Sequence, residues 1–279
     1  MTDETTNDNN NSDRYNVPAL ERGLRILGEF SRHAQVVTPP DLARRFELPR
    51  STVFRLLTTL ESMGFVERTD SGNEFRLGLA VLRLGFEYLA SLPLNELGQP
   101  VLRRLSEEIA YPCNLVVRDG RSIVYIARVS PPSPASPFVS AVNVGTRLPA
   151  HATVLGRMLL ADLSSAQLTA LYPESELESY STDTPRTVKD LGTLLQNDLQ
   201  RGYVVGEGFY EPNISSIAAP VRDHSGHIVA ALGVTINSGR FKDAQLDESR
   251  IQAMVESVRR AAAELSRLLN YAPFPAAAE

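Results

Sequence analysis

Leu48-Pro49 constrains this chain more than any other dipeptide, because it stands between two helical apolar patterns and neither can run through it. Proline disfavours helical geometry at the residue before it, so the pattern ending at Phe46 must stop and the next, opening at Arg50, must start afresh. The upstream piece is short: Thr38 offers an N-cap oxygen, Pro39 suits the first helical position, and Asp41 stands three residues after the cap, with Leu42 and Phe46 as the apolar side. The downstream piece carries Val53, Leu56, Leu57, Leu60 and Met63 at helical spacing as its expected buried stripe and meets Gly64, a natural C′ residue. Before both, Leu20, Leu24, Leu27 and Phe30 predict an amphipathic helix from Pro18 to about Arg32, with Val36 and Val37 in a loop. After both, Phe65 to Arg68, a turn at Thr69 to Asn73, and Glu74 to Leu77 read as strand, turn, strand. Three helices with a tight break between the second and third, then a hairpin, are the pattern of a winged helix-turn-helix.

A chain of 279 residues is long for one core, and the pattern changes after the hairpin. Leu79 to Leu92 predicts a longer helix with two apolar rows, Leu79, Leu82, Phe86 and Leu89 on one and Val81, Leu84 and Tyr88 on the other. One row can face its own domain and the other a partner, or the helix can be sandwiched inside one subunit. Beyond Pro93 comes a helix through Leu97, Val101, Leu105 and Ile109. Strands are expected at Cys113 to Val117, Ile123 to Ala127, Phe138 to Val144, Tyr203 to Val205, Ser216 to Val221 and Ile228 to Ile236. Helices are expected at Ala152 to Leu163, Ser165 to Leu171, Val188 to Arg201 and Asp243 to Leu269. Hairpin-paired strands flanked by helices make this second part α+β. The expected division is a disordered tail over 1–16, a winged helix-turn-helix over 17–79, a linker helix over 80–95, an α+β domain over 96–270 and a flexible tail over 271–279.

The charge balance separates the two parts. The whole chain carries −5, yet residues 14–83 hold eleven Arg against eight acids, and every base in that segment is Arg, whose planar fork suits phosphate oxygens and guanine edges. On the helix after Pro49, an inward stripe through Val53, Leu56, Leu57 and Leu60 leaves Arg50, Ser51, Thr52, Arg55 and Thr59 outward or at the N-terminus. That is the residue mix of a recognition helix. Its N-terminal N–H groups can take a phosphate, Ser51 and Thr52 can bond phosphate or base edges, and Arg55 can reach guanine O6 and N7. Arg44 and Arg45 on the preceding helix can clamp the flanking backbone, and Arg68 and Arg76 on the hairpin are candidate minor-groove or phosphate contacts. The bland alternative is a winged helix used for protein contact with its Arg merely solvated. One short recognition helix reads few base pairs. A two-fold dimer would place two of them in major grooves ~34 Å apart.

Three stretches of the first part, ALERGLRIL, PPDLARRFELPRSTVFRLLTTLESMGFVER and EFRLGLAVLRLG, resemble the DNA-binding half of the isocitrate-lyase-regulator (IclR) family of bacterial transcription factors. In the second part LPAHATVLGRMLLA, TPRTVKDLGTLLQNDLQRGY and SSIAAPVRDHSGHIVAALGVT are similar to that family's effector-binding domain, and RSIVYIARV and VGTRLPAHAT look most like the regulators of aromatic-acid catabolism. The resemblance implies a GAF-like effector domain, a homodimer or homotetramer, and a near-palindromic double-stranded DNA operator. It also implies ligand contacts at Val154, Leu155, Gly206, Ser216, Gly233 and Thr235. Ser216 stands where many members have cysteine, Gly206 where some have an acid, and Gly233 where some have serine. Bulky Val154 and Leu155 with few hydroxyls suit a larger effector than a two-carbon acid, an aromatic or dicarboxylic one, for whose carboxylate Thr153, Ser215, Ser216 and Arg128 are the candidate donors.

Other signals point elsewhere. His224 and His227 beside Asp223 lack a third ligand and read as a Ser-Gly turn, and Cys113, the single cysteine, reads as core, without a catalytic partner, disulfide or thiolate cluster. His151 caps or packs, Gly206-Glu207-Gly208 lacks the third glycine of a dinucleotide loop, and Ser215-Ser216 has no Gly-x-Ser-x-Gly elbow. No metal, cofactor, catalytic residue or membrane association is expected. The longest nearly apolar run, Ile228 to Ile236, is far below the ~20 residues of a membrane helix, and the polar start lacks a signal peptide, which places the chain in the cytoplasm. The reading is a non-enzymatic, ligand-responsive transcriptional regulator of a catabolic operon; the alternatives are a ligand sensor acting through protein partners and a domain that hydrolyses its ligand.

Overall fold

The computed structural model describes residues 16–31, 34–70, 72–132, 142–237, 241 and 246–271, with the side chain of residue 90 left out. The chain divides between Ser91 and Leu92 into two units.

In the first unit, α1 (Pro18–Gly28), α2 (Pro39–Arg45) and α3 (Arg50–Ser62) precede the hairpin β2 (Val66–Arg68) and β3 (Phe75–Leu77). Thr38 caps α2 as its sequence predicts: its Oγ1 accepts from the Asp41 amide at 3.3 Å and donates to the Asp41 carboxylate at 2.8 Å. Val36 and Val37 are not loop. They form a short strand, β1, that pairs antiparallel with β3 (Val37 opposite Phe75), so β3 lies in the middle of a three-stranded sheet. Two valines in sequence are too short a run to signal a strand alone, and only the partner supplies the ladder. Gly78 follows β3 where an added Cβ would run into the Gly64 carbonyl, so the glycine lets the chain turn tightly against the end of α3. Ile26, Val37, Leu42, Val53, Leu57, Val66 and Phe75 close the core, and cutting Leu57 to Ala would cost about 2–5 kcal/mol.

Three sequence expectations are corrected here. The first helix stops at Gly28 rather than Arg32, and its buried line runs through Gly23 and Ile26, leaving Leu20 and Leu24 about 60% exposed. Met63 is also exposed, because it caps α3 beyond the last turn that meets the core. On α4 (Leu79–Ser91) neither apolar row is sandwiched: Leu79, Leu82, Leu84, Phe86 and Tyr88 are all more than half exposed.

The second unit is a six-stranded antiparallel sheet in the order β6-β5-β4-β9-β8-β7, formed by β4 (Cys113–Asp119), β5 (Ser122–Val129), β6 (Arg147–Pro149), β7 (Val204–Glu207), β8 (Ser215–Arg222) and β9 (Ile228–Ile236). Helices α5 (Pro93–Ile109), α6 (Val154–Leu160), α7 (Ser165–Leu171), α8 (Val188–Arg201) and α9 (Glu248–Leu268) accompany it. The caps are written in the sequence: Thr153 for α6, Ser164 with Gln167 as a full capping box for α7, Thr187 for α8 and Asp247 for α9. α9 therefore opens at Glu248 rather than Asp243, which lies outside the described residues. The strand expected at Phe138 to Val144 falls on residues 138–141 outside the described set and on 142–144, which form no strand; β6 pairs with β5 instead. The segment expected as one helix from Ala152 to Leu163 is a 3-10 turn at Ala150–Ala152, then α6.

Strand register decides what meets what. Paired positions share a face. Val116 opposite Tyr125 and Ala231, Ala218 opposite Val204, and Thr235 opposite Ser216 put Val116, Tyr125, Ala231, Ala218 and Val204 into one core with Val154, Leu155 and Met158 of α6. A bulge where Leu115 and Val116 face Ala127 and Tyr125 advances β5 by one residue. As a result Arg128, opposite Asn114, lies on the α6 face with Tyr125, although strict alternation would separate them.

Candidate functional site: a basic helix surface and an apolar pocket

On α3 the inward stripe is Val53 and Leu57, flanked by half-buried Leu56 and Leu60, so Arg50, Ser51, Arg55 and Thr59 are exposed and Thr52 is half-buried. The arginines of this surface fall into two groups. Arg44 pairs with Asp41 at 2.6 Å, Arg45 with Glu29 at 2.7 Å, Arg68 with Glu61 at 2.9 Å and Arg76 with Glu67 at 2.7 Å. Arg50 and Arg55 make no ion pair among the described residues and border a shallow hollow with Pro39, Pro40, Ser51 and Phe54. The Thr59 hydroxyl donates to the Arg55 carbonyl at 3.0 Å, which fixes it to its own helix. Exposed Phe54, unremarked in the sequence, has the Arg68 guanidinium 5.7 Å from its ring centre, tying hairpin to helix.

The second unit holds a pocket of about 40 Å³ between the sheet and the start of α6. Tyr125, Val142, Leu148, Val154, Leu155, Phe209 and Ile214 give it apolar walls; Thr153, Ser216 and Thr235 bring hydroxyls; Glu211 is exposed at the rim. The space is narrow, and an organic ligand would lie directly against Phe209 and the start of α6. Of the predicted positions, Thr153, Val154, Leu155, Ser216 and Thr235 line this pocket. Gly206 adjoins it, since an added Cβ would come within 2.6 Å of Val154 and 2.8 Å of Phe209. Ser215 does not: alternation along β8 turns it to the opposite face from Ser216. Gly233 is in the sheet row between Asn114 and Ala218, where an added Cβ would meet the β8 backbone.

The Thr153 hydroxyl is occupied by structure, accepting from Gly156 N at 3.1 Å and donating to the Pro149 carbonyl at 3.2 Å. The Ser216 hydroxyl makes no hydrogen bond among the described residues, and Thr235 Oγ1 accepts from Asn114 Nδ2 at 3.0 Å. Burial pushes the Tyr125 phenol well above its ordinary range. Sequence reading missed Tyr125, Asn114, Phe209 and Tyr210, whose signal lies in the bulge and in the turn after β7. That turn is anchored: Thr184 and Ser181 donate to the Phe209 carbonyl at 2.6 and 2.9 Å. Behind Phe209, 4.6 Å from its ring centre, stands Arg157, buried and donating twice to Asp198 of α8 at 2.7 and 3.0 Å.

The remaining groups behave as structure. His151 Nε2 sits 2.8 Å from the Glu178 carbonyl and its ring is edge-on to Tyr172, with burial lowering its pKa. Cys113 is buried and its thiol pushed far up by desolvation. Among the described residues no group of three or more His, Cys, Asp or Glu could hold a metal, and no helix is long and apolar enough to cross a membrane.

Residues 19–70 match the IclR helix-turn-helix domain and residues 86–267 the bacterial transcriptional regulator IclR C-terminal domain. This chain belongs to the IclR family. It is 31% identical over 244 residues to the Pca regulon regulatory protein of Pseudomonas putida, a match covering 87% of this chain and 82% of that protein. A transcriptional regulator from Rhodococcus sp. RHA1 shares its fold with TM-score 0.77 and 32% identity, covering 91% of this chain and 99% of that one. An IclR homologue from Microbacterium hydrocarbonoxydans, solved in complex with 4-hydroxybenzoate, superposes with TM-score 0.75 at 26% identity over 90% of this chain and 99% of its own. IclR-family membership makes this chain a DNA-binding transcriptional regulator rather than an enzyme. The winged helix-turn-helix followed by an α+β domain is the family's architecture.

Proposed function

We propose that this IclR-family protein senses a small organic acid, aromatic or dicarboxylic, in the pocket beneath α6 and thereby controls a catabolic operon in the cytoplasm. The observation that carries the reading is the pocket itself: Tyr125, Phe209, Val154 and Leu155 offer flat and branched apolar walls above a floor with the Ser216 and Thr235 hydroxyls. Phe209 and the turn that carries it form one wall, so a ligand seated here presses on them. Ligand and protein conformation are then linked by differential affinity, which is the requirement for a regulatory signal. The 4-hydroxybenzoate bound to the Microbacterium homologue supports an aromatic acid.

In this reading Arg50, Ser51, Thr52, Arg55 and Thr59 face the operator's major groove, with Arg44, Arg45, Arg68 and Arg76 on the flanking backbone. Residues 80–95 act as the linker, and the exposed apolar rows of α4 join two copies over a near-palindromic site. Fluorescence-anisotropy titration tests it, using a duplex enriched by in vitro selection against a scrambled duplex at fixed salt. Specific operator binding predicts a preference of at least ~10³, a steep salt dependence and a shift on adding effector acid. Equal weak affinity for both duplexes, with and without acid, would instead mark a sensor that works through protein partners.

A further inference from the structure

The pocket's polar floor continues past the residues that line its cavity. On the neighbouring pair of strands, Asn114 and Arg128 are directly opposite each other and share the face of Tyr125 and Thr235. Asn114 is fully buried. Its Nδ2 is committed to Thr235, while its Oδ1 is buried without a hydrogen-bond partner among the described residues. Both terminal nitrogens of the half-buried Arg128, Nη1 and Nη2, are likewise buried atoms without a hydrogen-bond partner among the described residues. Native interiors rarely leave such groups unmet, and a buried guanidinium with no acceptor is among the costliest to leave so. Here two adjacent side chains are unmet together, one purely a donor and the other an acceptor, beside a pocket.

We infer that Arg128 is the seat of the effector's carboxylate and that Asn114 Oδ1 accepts a hydrogen bond from a hydroxyl of the same ligand, so that the pocket selects hydroxy acids. The inference rests on the effector-pocket reading above and specifies its chemistry. A guanidinium with both Nη groups free matches a carboxylate in bidentate fashion. Carboxylate oxygens cannot satisfy Asn114 Oδ1, which needs a donor, and a hydroxyl on the same ligand supplies one. Glu211, an exposed acid among the residues that line the pocket, repels an anion, so the carboxylate end of a ligand would be drawn away from it and toward Arg128. Tyr125 is within electrostatic reach of both Arg128 and Glu211. Burial lowers the Arg128 pKa, because desolvation disfavours its charged form.

The test is calorimetric titration of the full-length protein with benzoate, the three hydroxybenzoates, the corresponding hydroxybenzyl alcohols, adipate and 2-hydroxyadipate. Wild type, Arg128→Met, Asn114→Leu and Val154→Trp are compared, with thermal melts confirming each fold. The expected pattern is a hydroxy acid bound ~10-fold or more tighter than its parent acid and ~100-fold tighter than its alcohol. Arg128→Met removes the preference for acid over alcohol. Asn114→Leu removes the preference for hydroxy acid over parent acid. Should Asn114→Leu fail to fold, Asn114→Asp, which places a second anion beside Arg128, must weaken every acid in the panel. Acids binding Arg128→Met as they bind wild type, or no acid binding wild type better than its alcohol, overturn the inference. If Val154→Trp still blocks binding in that case, the pocket stands and only the seat is wrong; if it does not, the pocket assignment falls too.

Discussion

The Arg157–Asp198 pair gives the most exacting test of how the effector domain holds together. Both side chains are 4% exposed, and the two hydrogen bonds from Arg157 Nε and Nη2 converge on a single carboxylate oxygen of Asp198. The pair joins α6, which opens at the pocket, to α8, and the same guanidinium supports the Phe209 ring. Asp198→Leu leaves a buried cation with no acceptor among the described residues, and Arg157→Met leaves a buried carboxylate. Each single change should cost about 3–5 kcal/mol, which in a domain of this size lowers Tm by on the order of 10 °C. The double variant Arg157→Met with Asp198→Leu removes both desolvation costs, and Met keeps a favourable contact with the Phe209 ring. It should recover most of the loss, leaving a coupling free energy of about 2–3 kcal/mol or more. Differential scanning calorimetry of the four proteins at one concentration measures this directly. A double variant that loses the sum of the two singles, or singles that each cost less than ~1 kcal/mol, would refute the claim that the pair is needed mainly because each charge is buried with the other.

Three further outcomes are expected. Arg55→Ala, removing a guanidinium that has no ion pair among the described residues, should weaken the selected operator about 10–100-fold and leave a scrambled duplex nearly unchanged, whereas Glu67→Gln, which releases Arg76 from its ion pair, should strengthen both duplexes a few-fold at low salt; anisotropy titrations separate the two. Gly206→Ala drives a methyl into Val154 and Phe209, and should cost about 1–3 kcal/mol by thermal melt and weaken effector acids in calorimetry. His151, whose pKa is depressed by burial, contributes stability that is present above the ordinary imidazole range near 6.5 and is lost as pH falls through it, because the unfolded chain takes up a proton the folded one resists. The Tm of wild type should therefore drop between roughly pH 7 and 5 more steeply than that of His151→Gln, and parallel profiles would exclude the histidine as the cause.

The DNA-binding half was largely legible because its signals are local. A cap needs only Thr38 and Asp41, a helix stop only Gly64, and the break at Leu48-Pro49 only proline's geometry. What failed needed a partner distant in sequence. β1 exists through β3, nearly forty residues on, and the exposure of Leu20, Leu24 and Met63 depends on where the core ends rather than on periodicity, which cannot tell the centre of a buried stripe from its edge. In the effector domain, helices α7 and α8 and strand β9 were readable to the residue, since a Ser or Thr cap or a β-branched run bounds each.

The pocket was legible one wall at a time. The α6 wall follows from the LPAHATVLG segment, but the sheet wall depends on register, and register is a property of pairs of strands. Alternation read from sequence gives Tyr125 and Arg128 opposite faces; the bulge at Ile126 overrides it and turns both toward Asn114 and Thr235. Arg128 was identified from its charge alone, and Asn114, uncharged inside an apolar strand, gave no signal. The same register separates Ser215 from Ser216, which residue type cannot distinguish. The positions that set ligand chemistry are thus those where a one-residue slip would change the face presented. A single insertion or deletion at the bulge should rewrite effector choice while leaving the winged helix and its operator contacts untouched, because the two activities are carried by units with separate cores.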